Sequence, residues 1–338
     1  MSRSDLLPYD DTTSVHVGEV ANQVAARYAL RDYQKKLSAN TKRRQADDLA
    51  VFARYLGLAG TQITGQELME DITRWAGMTH GLVTGFLRYQ EQEGYAIGSI
   101  NVHLATVKRY CSIAAESHVI GAATAGLISR VKGYSHKDGR NLDKDRERTR
   151  KGVKKAESVA ISKEQALQLK PQPDTPQGRR DTLLLCLLLD HGLRCGEIAG
   201  LTLECINLNE ETLTFYREKV DMVQVHLFTK ETRVALRRYL ECVQLLPGDS
   251  LLQGSRRSGR LLGRMSERAI TARVNVLGER LGIHGLSAHD GRHAWATFAI
   301  KAGTDVKALQ DAGGWKSPYM PLRYAASGKI ANAGVKLD

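Results

Sequence analysis

Between residues 38 and 120 apolar side chains return every three to four positions, the spacing of one buried helix face. Ala46, Leu49, Phe52, Ala53 and Leu56 form the first stripe, with Ser38 or Asn40 as its cap and Gly57 as its end. Phe86 and Leu87 mark a second helix over about Leu82 to Gln92, stopped by Gly94. A third begins after Ser99 and turns Ile100, Leu104, Val107, Cys111 and Ala114 inward. Its other face presents His103, Lys108 and Arg109. Upstream, Val17 to Lys36 reads as one more helix packed on this bundle.

From Ser162 a second pattern appears. A strongly apolar helix around Thr182–Asp190 runs into Gly192, and a short helix follows from Arg194 to Gly200. Leu213–Tyr216 and Val223–Phe228 then alternate with the period of strands, and polar Arg217–Asp221 makes the hairpin turn. Helices are expected at Thr232–Gln244, Ser266–Leu281, Ser287–Ala302, Asp305–Ala312 and Pro318–Ala326. The fold class is therefore mainly α with a small β-sheet in the second domain.

Between these halves the character changes. Residues 130–155 are rich in Arg and Lys and nearly lack large apolar side chains, too few to build a core. The pattern gives a helical domain over 1–129, a basic linker over 130–160 and a second domain over 161–338. In a chain of 338 residues, Lys and Arg outnumber Asp and Glu by 49 − 37 = 12. That surplus suits a polyanionic partner, whose phosphates release counterions when neutralised. Arg146, Arg148, Arg150, Lys151, Lys154 and Lys155 are the linker's candidate phosphate contacts, beside His103, Lys108 and Arg109 of the bundle. The five cysteines are scattered without a CxxC pair and read as reduced core residues of a cytoplasmic protein. The polar, acidic start and the shortness of every apolar run give no secretory signal and no membrane span.

The candidate chemistry lies in four pieces of the second domain. HGLRCGEIAGL places Arg194 after a glycine turn at a helix start, with Glu197 three residues on. Lys219 stands in the hairpin turn. LSAHDGRHAWAT sets His289 and Arg292 on one face of one helix, with His293 beside them. GGWKSPYMPLRY carries Trp315 and, nine residues later, Tyr324. Taken singly, each has a plainer reading. Arg194 can be a helix-end ion pair, Lys219 a solvated turn, Trp315 a core anchor, and Tyr324 is one of twelve tyrosines. His289 and His293 stand at zinc-compatible spacing, but Asp290 follows where HExxH needs Glu, and no third ligand is evident. Taken together, two arginines can each donate a pair of hydrogen bonds to phosphate oxygens. A tyrosine can attack phosphorus, a lysine can protonate the leaving oxygen, and a histidine can accept the tyrosine proton. This set suffices for displacement at a phosphodiester with neither metal nor cofactor.

In that order and spacing the sequence resembles the tyrosine recombinase, or phage integrase, family. Gly192 to Glu197 match GLRxxE, His289 to His293 match HxxRH, and Trp315 and Tyr324 fall on the family's His-or-Trp and nucleophile positions. Lys219 sits in the turn where the family keeps its lysine. The resemblance implies a two-domain DNA clamp, with an N-terminal helical core-binding domain and a C-terminal catalytic domain. It implies catalytic roles for Arg194, Lys219, His289, Arg292, Trp315 and Tyr324, supported by Glu197 and His293. It also implies a 3′-phosphotyrosyl intermediate and double-stranded DNA with short inverted-repeat sites as partner. On two such sites a homotetramer, monomeric when free, would pass through a Holliday junction, and the protein would associate with the nucleoid. A type IB topoisomerase and a catalytically silent DNA-binding relative are the alternatives. Tyr319 is the rival nucleophile. Gly291 stands where the family usually has Leu, so local packing there is open. Ile330–Leu337 is a short candidate for docking on a neighbouring subunit, and residues before 38 leave little room for an arm-binding domain.

Overall fold

The stripe of Leu49, Phe52 and Leu56 becomes the spine of the first of two units, Met1–Lys154 and Lys155–Asp338, in the computed structural model, which describes residues 14–151, 158–255 and 258–326. In the first unit α1 (Ser14–Lys35), α2 (Ala39–Gly57), α3 (Gly65–Glu70), α4 (His80–Gln92), α5 (Ile97–Glu116) and α6 (Ala122–Ser129) form a bundle. Ser38 caps α2 by accepting from the Thr41 amide, as its residue type favours. Aromatic rings fill the centre: Phe52 lies 4.9 Å from Phe86 and 5.8 Å from Trp75, whose indole N–H donates to Leu68 O at 2.8 Å. Helix α5 begins two residues before Ser99, with Ala96 at its N-cap.

The expected linker is a folded part of this unit over much of its length. Ser135 and Asp138 form a reciprocal capping box that opens α7 (His136–Asp145). Buried Gly139 lets α7 rest on the Ile97 side chain, and Asn101 holds Tyr134 through two 2.8 Å hydrogen bonds. The segment needs no core of its own, because the bundle already supplies one. Lys154 and Lys155, and the candidate docking segment Ile330–Leu337, lie outside the described residues.

In the second unit the elements run α8 (Lys163–Leu169), α9 (Pro176–Leu189), α10 (Cys195–Ala199), β1 (Ile206–Asn207), β2 (Thr212–Arg217), β3 (Met222–Leu227) and α11 (Lys230–Leu240). They continue with β4 (Gln253–Ser255), β5 (Leu261–Arg264), α12 (Glu267–Glu279), α13 (Ala288–Lys301), α14 (Val306–Gly313) and α15 (Tyr319–Ala326). Thr175 caps α9 and Pro176 occupies its first turn, so the helix starts six residues before the apolar run that announces it. Leu183 to Leu189 are buried on every side, because α9 is covered by α11 and α13. Gly291 settles the packing question: a Cβ there would meet Leu188 Cβ at 3.2 Å, so glycine admits α13 closely against α9. The three strands form an antiparallel sheet in the order β1-β2-β3, and β4 pairs with β5 separately.

Two histidines, His191 after α9 and His226 on β3, set an acid limit on this unit. His191 and His226 stack at 5.8 Å, and His191 Nε2 lies 3.0 Å from Thr232 Oγ1. Burial pushes both imidazoles down to about 4 from the ordinary 6.5. An unfolded chain binds these protons first, so their stabilising contribution is full above pH 6.5 and drains away as pH falls towards 4. The expected loss at about pH 5 is on the order of 4 kcal/mol for the pair. Urea titrations at several pH values check it. His226→Phe should flatten the slope, and an unchanged slope would remove His226 from the account.

Candidate active site

The site begins where α9 ends. Gly192 has φ +60, and a Cβ there would fall 2.2 Å from the Trp295 ring, so both conformation and space demand glycine. Leu193 is then fully buried, and Arg194 becomes the N-cap residue of α10. Glu197 closes the turn: it accepts from the Arg194 amide at 2.7 Å and from Arg194 Nη1 at 2.7 Å. Burial pushes the Glu197 carboxyl up, but Arg217 and Arg194 outweigh it and hold it below its ordinary value. Gly192→Ala should therefore cost roughly 3 kcal/mol from strain and overpacking. Chemical denaturation measures this, and a loss within about 0.5 kcal/mol would contradict the geometry.

Helix α13 supplies the second group. Asp290 accepts from the Ser287 amide and hydroxyl, and also from the Val159 amide at 3.0 Å, which fixes the helix start. Arg292 is buried, with Nη1 donating to Gly192 O and Nη2 to Gly313 O, each at 2.5 Å. It thus ties the α9–α10 turn to the turn after α14. Its guanidinium lies 4.6 Å from the Trp315 ring centre. Burial, with Arg194 and Arg217 nearby, lowers its pKa to about 9, so it stays charged at neutral pH.

The turn after α14 supplies the third. Gly314 takes the left-handed conformation that ends the helix, at φ 59. Trp315 then stands 5.7 Å from the Tyr324 ring and 6.1 Å from Trp295. Its indole N–H donates to no other described residue. Tyr324, on α15, is buried at 6% exposure, edge-on to His293 at 5.2 Å, while Tyr319 is 70% exposed outside this cluster. Burial raises the Tyr324 pKa, and Arg292, Arg323 and Arg194 pull it the other way. Nε2 of His289 and Nε2 of His293 are 2.9 Å apart, so one imidazole donates and the other accepts. Both pKa values are lowered, by burial first. Lys219 is exposed in the β2–β3 turn and donates to no other described residue, yet its charge is felt at His289.

Arg194, Arg292, His289, His293, Trp315 and Tyr324 are therefore brought to one place. The sequence reading missed Arg217, which it assigned to the hairpin turn. Instead Arg217 ends β2, fully buried, and donates to Glu197, Gln224 and Ala312 O. Alternation of Leu213, Phe215 and Arg217 on one strand face was the available signal.

Several candidate phosphate contacts of the first unit have partners within the protein. His103 is 12% exposed and points inward, with Nδ1 2.6 Å from Gln90 Oε1 and Nε2 3.7 Å from Asp48. Lys108 donates to the Ser129 and Val131 carbonyls, so it finishes α6. Arg109 reaches Glu116 and covers the Tyr33 ring at 4.7 Å. Arg146 is 10% exposed, bound to Asp143 and Tyr95 O, and Lys151 is paired with Glu93. Arg148 is exposed and packs its stem on Gly94, and Arg150 is partly buried.

Tyr324 is thus buried beside the His289–His293 pair, with Trp315 against it and Arg292 over the Trp315 ring. Residues 160–329 match the model of the phage integrase family. The chain belongs to that family and is an enzyme of the tyrosine recombinase class. Tyrosine recombinase XerC of Haemophilus influenzae is 26% identical over 244 residues, which cover 72% of this chain and 75% of that protein. Among solved structures, the Tn1549 transposon integrase in complex with a circular intermediate DNA aligns with TM-score 0.61 at 15% identity, over 90% of this chain and 96% of that one. A lambda integrase dimer bound to a core site aligns with TM-score 0.61 at 14% identity, over 92% and 95%. These two likenesses establish the shared fold. Among the described residues no helix is long and apolar enough to cross a membrane.

Proposed function

We propose that this recombinase cuts and rejoins double-stranded DNA through a phosphotyrosyl bond at Tyr324. The observation that carries the reading is the convergence of Tyr324 with His293, Trp315 and buried Arg292 in one unit. Tyr324 Oη attacks the scissile phosphorus, the bond to the 5′-oxygen breaks, and a 3′-phosphotyrosyl link and a 5′-hydroxyl result. Arg194 and Arg292 hold the non-bridging oxygens and neutralise the charge that grows on them. The lowered His289–His293 pair is neutral at pH 7 and takes the phenolic proton. Lys219, exposed in its turn, delivers a proton to the departing oxygen. Trp315 seats the Tyr324 ring and covers Arg292. Attack by a 5′-hydroxyl of a second strand reverses the step, so the phosphoester is exchanged and no ATP is consumed.

The DNA-bound relatives support double-stranded DNA as the partner. Four protomers on two short inverted-repeat sites would exchange strands in pairs through a Holliday junction. The first unit would serve as the core-binding half of the clamp, with the exposed cations of residues 130–151 on phosphates. The test incubates nicked fragments of the DNA flanking the gene with protein in EDTA, denatures in SDS, and maps DNA-linked peptide by mass spectrometry. A nucleotide on Tyr324 is the expected result. Retention of DNA with no adduct on any fragment would overturn the reading in favour of a silent binding protein.

A further inference from the structure

We infer that Arg217 is a positioning residue of this site, the counter-cation that takes up the charge of Glu197 and leaves the Arg194 guanidinium available to phosphate. This rests on the phosphoryl-transfer reading above. Arg217 has no exposed side-chain surface, and its Nη1 bridges both Glu197 oxygens, at 2.8 and 2.7 Å. Each of those oxygens also accepts one hydrogen bond from Arg194, from Nη1 and from the backbone amide. The carboxylate is therefore saturated, with four hydrogen bonds from three nitrogens on its two oxygens. Among the described residues Arg194 commits only Nη1 to the protein, so Nε and Nη2 stay open for a phosphate fork.

Without Arg217, a carboxylate only 6% exposed would have Arg194 as its sole cationic partner. Arg194 would then be drawn inward and its charge spent on Glu197 instead of on substrate. Position supports the same role. Nη2 of Arg217 donates to Ala312 O at 2.8 Å, and Gly314 packs on the Arg217 side chain, where a Cβ would lie 2.5 Å from Cδ. Lys219 follows two residues later. One buried cation thus fixes the Arg194 turn, the strand that leads to Lys219 and the turn that leads to Trp315.

The experiment compares Arg217→Met, Glu197→Gln and the double variant in the full-length protein. Single-turnover adduct formation is measured on the nicked duplex that the unsubstituted enzyme cleaves. Arg217→Met should be about a hundredfold slower, and adding Glu197→Gln should recover about tenfold of that, because the stranded negative charge is gone. A purely structural role predicts a second loss, not a recovery, so a double variant no faster than Arg217→Met overturns the inference. The double variant also answers misfolding, since removing both partners of a buried pair is far milder than removing one. A readout free of DNA accompanies these. The Glu197 carboxyl, followed by NMR, should titrate at least about one unit higher in Arg217→Met, and an unchanged titration would overturn the counter-cation role. If the unsubstituted enzyme forms no adduct, the recombination reading fails, and the Glu197 titration still decides whether Arg217 holds that charge.

Discussion

Tyr324→Phe is expected to retain DNA as the unsubstituted protein does and to form no SDS-resistant adduct. The substitution removes one oxygen and keeps the ring that packs on Trp315 and His293. The fold should lose no more than about 1 kcal/mol, the usual worth of one hydrogen bond. Chemistry, by contrast, loses its nucleophile outright, and no neighbour replaces it: Tyr319 is exposed outside the cluster. Filter retention at fixed salt and gel analysis after SDS separate the two effects. An adduct surviving in Tyr324→Phe, mapped to another tyrosine, would sink the assignment.

Arg292→Lys should be the second severe change, although it keeps the positive charge. The guanidinium spans two carbonyls on opposite sides, Gly192 O and Gly313 O, and lies against the Trp315 ring. An ammonium is a point donor that cannot reach both sides and also present a fork to phosphate. One buried carbonyl is left unpaired, at a cost of about 1–3 kcal/mol. Loss of a preorganised donor slows the chemical step by about a hundredfold or more. Denaturant midpoints report the first effect and single-turnover cleavage the second. A rate within about threefold of the unsubstituted enzyme would show that Arg292 does not hold the transition state.

The local parts of the site were legible because short-range rules make them. A glycine turn followed by an N-cap put Arg194 where it stands, and i, i+3 spacing put His289 and Arg292 on one helix. The apolar periodicity located α2, α4 and α5 to within a few residues, whereas α9 begins six residues before its apolar run, at Pro176. What misled was charge. Arg217, His103 and Lys108 were read as solvent-facing because cations usually are, yet each has partners distant in sequence: Glu197 and Ala312, Asp48 and Gln90, Ser129 and Val131. The basic segment 130–155 was read as unable to fold by itself, because it lacks large apolar residues, and the bundle supplies the core on which α7 rests. Composition measures whether a stretch can build a core, not whether a neighbouring core will accept it.

Residue type and spacings of a few positions thus located the candidate site residues, their order and most of the elements that carry them. Tertiary structure alone decided which charges point inward and how they are shared: Arg292 between two backbone carbonyls, Glu197 between two arginines, Tyr324 beneath an imidazole and an indole. Burying a cation is costly unless its hydrogen bonds are met, and those acceptors come from segments some twenty to a hundred residues away. No local pattern encodes where they arrive.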